Sequence, residues 1–209
     1  MKPSRQSVCA IAVILLVLAI DQTLKIAIKT SMTLSESIDV TDWFKINFVE
    51  NNGIAMGIDV FNKKLVSLFR ILACFAIAWY IVRLIRKRYS VGYIICISLI
   101  FTGAIGNIID SVFYGVIFSE STTTQVAALF PSGGGYSTWL HGKVVDMFYF
   151  PLFRFTWASW IPVIGGGEFE FFRWVFNIAD ASISVGFGIL ILFYRKTFSL
   201  SFEKHPVEK

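Results

Sequence analysis

Four stretches of the chain are apolar almost without interruption, at residues 8–28, 65–82, 91–109 and 174–194. Each is long enough to cross, as a helix, the roughly 30 Å hydrocarbon core of a bilayer. Between them the pattern changes. Phe44, Ile46 and Phe48 alternate with Lys45 and Asn47, the period of a half-buried strand. That run leads into Glu50-Asn51-Asn52-Gly53, which has the chemistry of a turn. It reads either as a hairpin lying on the membrane surface or as a small sheet lining a cleft for an extended peptide. Residues 113–173 form a long second connection. It contains a glycine-rich turn at residues 131–135 and an aromatic stretch with Trp157, Trp160, Phe169, Phe171 and Phe172, suited to a membrane interface. The pattern predicts an all-α membrane protein in which residues 1–209 form a single polytopic domain. Four transmembrane helices are joined by outer loops at 29–64 and 113–173, and a small β-rich element lies outside the membrane.

Composition agrees with this class: 56% of the 209 residues are hydrophobic, 16% are charged, and mean hydropathy is +0.67. The net charge of +5 changes the picture only through its placement. With the N-terminus inside, the cytoplasmic segments 1–6, 83–90 and 195–209 hold 10 Lys and Arg in 29 residues, against 7 in the 97 residues of the outer loops. This positive-inside bias orients the chain N-in and C-in, so the basic balance is an orientation signal rather than a sign of nucleic-acid binding. The first apolar run follows Lys2 and Arg5 as in a signal peptide, but no small-residue cleavage site follows it, and it is read as a span. Cys9, Cys74 and Cys96 each fall inside an apolar run and suggest no disulfide framework. His141 and His205 lie on opposite sides of the membrane in this topology, which argues against a histidine metal site.

The candidate chemistry lies in acids within or beside the apolar runs. An ionisable residue in such a run is costly and marks a partner, a cavity or a reaction. If the fourth run is helical from residue 174, Asn177, Asp180 and Ser184 share one face, and Asp180 lies six residues, about 9 Å, along it. Gly103, Asn107 and Asp110 share a face at the end of the third run, where small residues and Asn also favour helix packing. Asp21 and Lys25, spaced i, i+4, form either a mutually neutralising pair or the edge of a site. Arg70 can snorkel or meet a carboxylate. Asp146 sits in the apolar loop segment Val144-Val145-Asp146-Met147-Phe148. In the four-span orientation these acids all fall toward the outer side, not at the midplane where a transporter places its sites. Two carboxylates sharing one proton in a semi-dry site are the equipment of an aspartic peptidase, and no Ser/His or Cys/His constellation competes.

Five short motifs occur in order: Asp21-Gln22 with Lys25, Asn51-Asn52-Gly53-Ile54-Ala55-Met56-Gly57, Gly106-Asn107-Ile108-Ile109-Asp110, Val144-Val145-Asp146, and Phe176-Asn177-Ile178-Ala179-Asp180. Together they resemble bacterial lipoprotein signal peptidase, signal peptidase II. The resemblance implies an intramembrane aspartic endopeptidase that removes the signal peptide of prolipoproteins just before a diacylglyceryl-modified cysteine. By motif match, Asp146 and Asp180 are the catalytic pair. Asn51, Gly53, Asn107, Asp110 and Asn177 support or bind substrate, and Asp21 and Lys25 are structural. The resemblance implies no metal or cofactor. It places the protein, as a monomer among membrane lipids, in the bacterial cytoplasmic (inner) membrane, with its site facing the outer leaflet. The chain departs from the family at Leu24, where Ser or Thr is usual, at Met56, where Phe is usual, and at Ser111, where an arginine is expected and Arg70 or Arg173 could substitute. Its connections on both sides of Asp146 are longer than usual. The competing readings are a small transporter using the same acids as ion ligands and a non-catalytic scaffold for lipidated proteins.

Overall fold

The computed structural model describes residues 4–51 and 63–203. Four helices are long and apolar enough to cross a membrane: α1 (Arg5–Ser31), α2 (Lys63–Arg86), α3 (Val91–Ile117) and α4 (Ile178–Phe202). In lipid every backbone polar group must be satisfied within the segment, and a helix does this. The helices leave large apolar side chains uncovered, among them Leu16 at 63%, Phe69 at 73%, Phe75 at 70% and Leu192 at 74% exposure. Such surfaces are stable against lipid and not against water, so the chain is a multi-pass membrane protein. Helix α3 widens into π-type turns at Asp110–Tyr114, and α4 does so at Leu190–Tyr194.

The described residues belong to two compact units. The first takes in Met1–Gln22, Leu65–Ile108 and Ile178–Lys209 and is helical. Its core gathers Ala10, Ile81, Leu84, Ile94, Ile97, Ile100 and Leu190. Glycines bring α3 and α4 close together. A Cβ on Gly103 would lie 2.2 Å from the Ala179 carbonyl oxygen, and one on Gly186 would lie 2.6 Å from Ile100 Cγ1. A hydroxyl chain links Tyr80 to Tyr93 and to Ser201 at 2.5 Å each, satisfying three buried polar tips.

The second unit, Thr23–Lys64 and Ile109–Asn177, carries the strands found among the described residues. These are β1 (Ser37–Thr41), β2 (Phe44–Asn51), β3 (Val144–Tyr149), β4 (Phe153–Thr156), β5 (Glu168–Phe171) and β6 (Val175–Phe176). One antiparallel sheet has the order β1-β2-β3-β6, and β4 pairs with β5 in a separate two-stranded sheet. Phe48, Tyr114, Phe118, Val145 and Met147 form the core of this unit.

The structure corrects several boundaries. Residues 174–177 do not belong to the fourth helix: Val175 and Phe176 pair with Tyr149 and Phe148 as a strand, and α4 begins at Ile178. Asp180 is therefore in the first turn rather than six residues along, and Asn177 precedes the helix instead of sharing its face. The apolar run Trp174-Val175-Phe176 suits a strand as well as a span, which is why apolarity alone misplaced it. The third helix reaches Ile117 rather than residue 109, the first runs from Arg5 to Ser31, and the second from Lys63 to Arg86. The small β-rich element is present as two sheets, one of four strands and one of two. The hairpin turns at Asp42-Trp43, between Thr41 and Phe44, ahead of the Asn51-Asn52-Gly53 turn chemistry. Gly53 and the rest of residues 52–62 lie outside the described residues.

Candidate active site

In the second unit, β3 puts Asp146 into the core. Its neighbours Val145 and Met147 are buried, and Asp146 itself is only 3% exposed. Such a group needs donors. Asn177 Nδ2 donates to Asp146 Oδ1 at 2.6 Å and to the Val145 carbonyl at 3.2 Å. Asn51 Nδ2, at the end of β2, approaches Asp146 Oδ2 at 3.5 Å. The pairing of β2 with β3, Val49 opposite Asp146 and Asn51 opposite Val144, brings that amide into range. Asn177 also ties the end of β6 to β3, so one amide orients the acid and closes the sheet.

Two buried lysines one turn apart on α1 anchor the frame around Asp146. Lys25 Nζ meets Asp110 Oδ2 at 2.8 Å, both side chains being fully buried, and Asp110 Oδ2 also accepts the Val145 amide at 3.3 Å. Lys29 donates to Glu50 Oε1 and, at 2.8 Å, to Ser121 Oγ. Its ammonium lies 5.0 Å from the Tyr136 ring centroid and 5.4 Å from that of Phe118, a cation–π cage. Lys143 reaches Glu50 Oε2 at 3.1 Å. Burial alone would raise the Glu50 pKa, but the hydrogen bonds and charge of Lys29, with Ser121 and Lys143, outweigh it and hold the carboxyl below its ordinary range. Burial pushes the Tyr136 hydroxyl the other way, well above its ordinary value.

In the first unit, Asp180 sits at the start of α4, where helix N-termini favour negative charge. Asn107 Nδ2 of α3 donates to Asp180 Oδ1 at 2.8 Å, and the Arg70 guanidinium of α2 attracts Asp180 electrostatically. Asp21 caps α4 from α1: its Oδ1 accepts the Ala179 amide at 2.9 Å, taking one of the orphan donors of the first turn. Gln22 braces that carboxylate at 3.1 Å and donates to the Gly106 carbonyl at 3.3 Å.

The residues suggested by the sequence thus fall into two sets. Asp146 stands with Asn51 and Asn177, and Asp180 with Asn107. Lys25 has a partner the local spacing did not suggest, Asp110. Ser111, where the arginine was expected, is buried in the wide turn of α3. Lys29, Glu50, Ser121 and Lys143 were missed altogether. The available signal was Lys29 itself, a second cation four residues after Lys25 on the same helical face.

Both aspartates are oriented by side-chain amides, Asp146 by Asn177 and Asp180 by Asn107. Against known proteins, residues 13–196 match the family described as signal peptidase (SPase) II. The lipoprotein signal peptidase of Porphyromonas gingivalis is 53% identical over 190 residues, covering 90% of this chain and 84% of that protein. The lipoprotein signal peptidase of Amoebophilus asiaticus is 33% identical over 202 residues, covering 93% and 79%. A bacterial membrane enzyme solved by the in meso method at 2.3 Å superposes with a TM-score of 0.60 at 25% identity, covering 94% of this chain and 93% of that one. With its four membrane-competent helices and its two amide-held aspartates, the chain belongs to the signal peptidase II family.

Proposed function

We propose that the protein is the aspartic endopeptidase that frees lipoproteins of their signal peptides, with Asp146 and Asp180 as its catalytic pair. The observation that carries this reading is that each of the two acids receives a short hydrogen bond from an asparagine amide, Asn177 for one and Asn107 for the other. Asn177, which orients Asp146, is also only three residues ahead of Asp180 in the chain. One proton is shared between the acids. The ionised member takes a proton from water as the oxygen attacks the scissile carbonyl, and the protonated member hydrogen-bonds that carbonyl. Collapse of the tetrahedral intermediate breaks the C–N bond and passes a proton to the leaving amine. The signal peptide departs as a carboxylate and the cysteine as a free amine. The amides of Asn107 and Asn177 fix one oxygen of each acid, so little reorganisation accompanies the step.

The substrate is a prolipoprotein whose cysteine carries diacylglycerol. Residues 1–209 act as one domain, N-in and C-in as a monomer in the bacterial cytoplasmic membrane, with the acids toward the outer leaflet. Asn51 and, by its motif, Gly53 serve substrate binding, Asp110 with Lys25 and Asp21 with Gln22 are supports, and Arg70 takes the place of the arginine expected at Ser111. The β4–β5 hairpin, with Phe153 stacked on Phe171 at 4.7 Å and Trp160 at 81% exposure, lies at the outer interface.

The test is the initial rate on a diacylglyceryl-modified precursor, read as a gel shift. Asp146→Asn and Asp180→Asn each abolish cleavage, and the double variant is no worse, because groups acting as a unit are non-additive. All three fold, since Asn keeps the size and removes a buried charge. Substantial turnover by either single variant would overturn the assignment.

A further inference from the structure

At the end of the first unit away from Asn107 and Asp180, a cavity of about 430 Å³ opens between α1, α2 and α3. Ser7, Ala10, Ile11 and Ile14 line it from α1, spaced i, i+3, i+4, i+7. Ala78, Ile81, Val82, Ile85 and Arg86 line it from α2 in the same rhythm, and Phe101 of α3 closes it. Its lining is apolar except for Ser7, near the start of α1, and Arg86, at the end of α2, which mark its mouth. Eight residues of α2 separate Ala78 from Arg86, about 12 Å of helix, close to the roughly 15 Å depth of one leaflet's hydrocarbon. The mouth is also the most basic part of the unit. Arg86, Lys87 and Arg88 are exposed, as is Arg5 at the start of α1. Arg83 lies over the Trp79 ring, 5.7 Å from its centroid. Among the described residues, Arg86 meets no carboxylate.

An apolar groove about one leaflet deep, ending in a guanidinium that meets no carboxylate among the described residues, has the form of an amphiphile site. We propose that it holds one acyl chain of an anionic phospholipid, with the lipid phosphate on Arg86. Charge selects the occupant. Guanidinium presents a planar fork that matches phosphate oxygens, and basic pockets between helices on the positively charged side of a membrane protein recognise anionic headgroups. A zwitterionic lipid offers the same chain but brings its own cation to the mouth. The site is separate from the proposed catalytic Asp180: Asp21, whose carboxylate takes the Ala179 amide beside that acid, lies 14 residues of α1 beyond Ser7, about 21 Å.

The full chain is purified in detergent and equilibrated with equimolar dioleoylphosphatidylglycerol and dioleoylphosphatidylcholine, and retained lipid is counted by native mass spectrometry. The wild type retains the anionic lipid preferentially. Arg86→Gln lowers that preference about fivefold, the worth of one basic side chain at an anionic surface, and the exposed neighbour variant Lys87→Gln lowers it much less. Ala78→Leu, which fills the groove, reduces retention of the anionic lipid while Arg86 is intact. Thermal unfolding without added lipid shows that each variant is folded. Equal retention of both lipids by the wild type, equal effects of Arg86→Gln and Lys87→Gln, or unchanged retention in a folded Ala78→Leu would each overturn the site.

Discussion

Lys25 and Asp110 are both fully buried and 2.8 Å apart, and the energetics of such a pair are asymmetric. Removing one partner leaves the other charge stranded, which costs about 3–5 kcal/mol, whereas replacing both with apolar residues of similar volume is often neutral. Lys25→Met or Asp110→Leu should therefore lower the thermal midpoint sharply in detergent, and the double replacement should recover much of the loss. Glu50 makes a pH-dependent prediction. Its carboxyl is depressed below the ordinary 4.5 by Lys29, Ser121 and Lys143 despite burial. A depressed acid contributes stability that is fully present above the unfolded pKa and is lost as pH falls through the folded one. Unfolding midpoints measured from pH 6 downward should fall below about pH 4.5 in the wild type, and Glu50→Gln, already destabilised, should give a flatter profile over that window.

The elements pack by close approach of backbones, and two glycines separate that effect from helix propensity. A Cβ on Gly103 meets the Ala179 carbonyl at 2.2 Å, whereas one on Gly188 has nothing within 4 Å. Gly103→Ala should destabilise by about 1–3 kcal/mol through overpacking. Gly188→Ala should be neutral, or stabilising by up to about 1 kcal/mol, since it replaces glycine inside a helix. Calorimetry of the two variants decides between them. The elements also mark where the sequence was legible. Long apolar runs announced all four helices, and the alternation of Phe44, Ile46 and Phe48 announced β2. The start of α4 was not legible, because Val175 and Phe176 read equally as strand or span and their partners, Tyr149 and Phe148, lie in a different segment. The same physics hid the frame of the site. Asp146 and Asp180 stood out as acids in apolar surroundings. Glu50 did not, since its burial depends on a β2–β3 pairing across about a hundred residues of chain.

For the molecule as a whole, the placement of charge decides which way the helices run. Reporter fusions after Ser90 and after Lys209 should report cytoplasm, and one within residues 132–135 should report the other side. An exterior signal at Ser90 would end the four-span N-in arrangement. Buried charge in α1 has a further consequence, for how the protein is made. Lys29 emerges from the ribosome 21 residues before Glu50 and 92 before Ser121, and Lys25 precedes Asp110 by 85. At roughly 5–20 residues per second, the first helix waits seconds for the acids that will neutralise it. Until then its last turns have no dry resting place and belong in water or among headgroups. A chain released short of Asp110 would never gain that carboxylate, so the far end of α1 can settle into its final surroundings only after more than half of the protein has been synthesised.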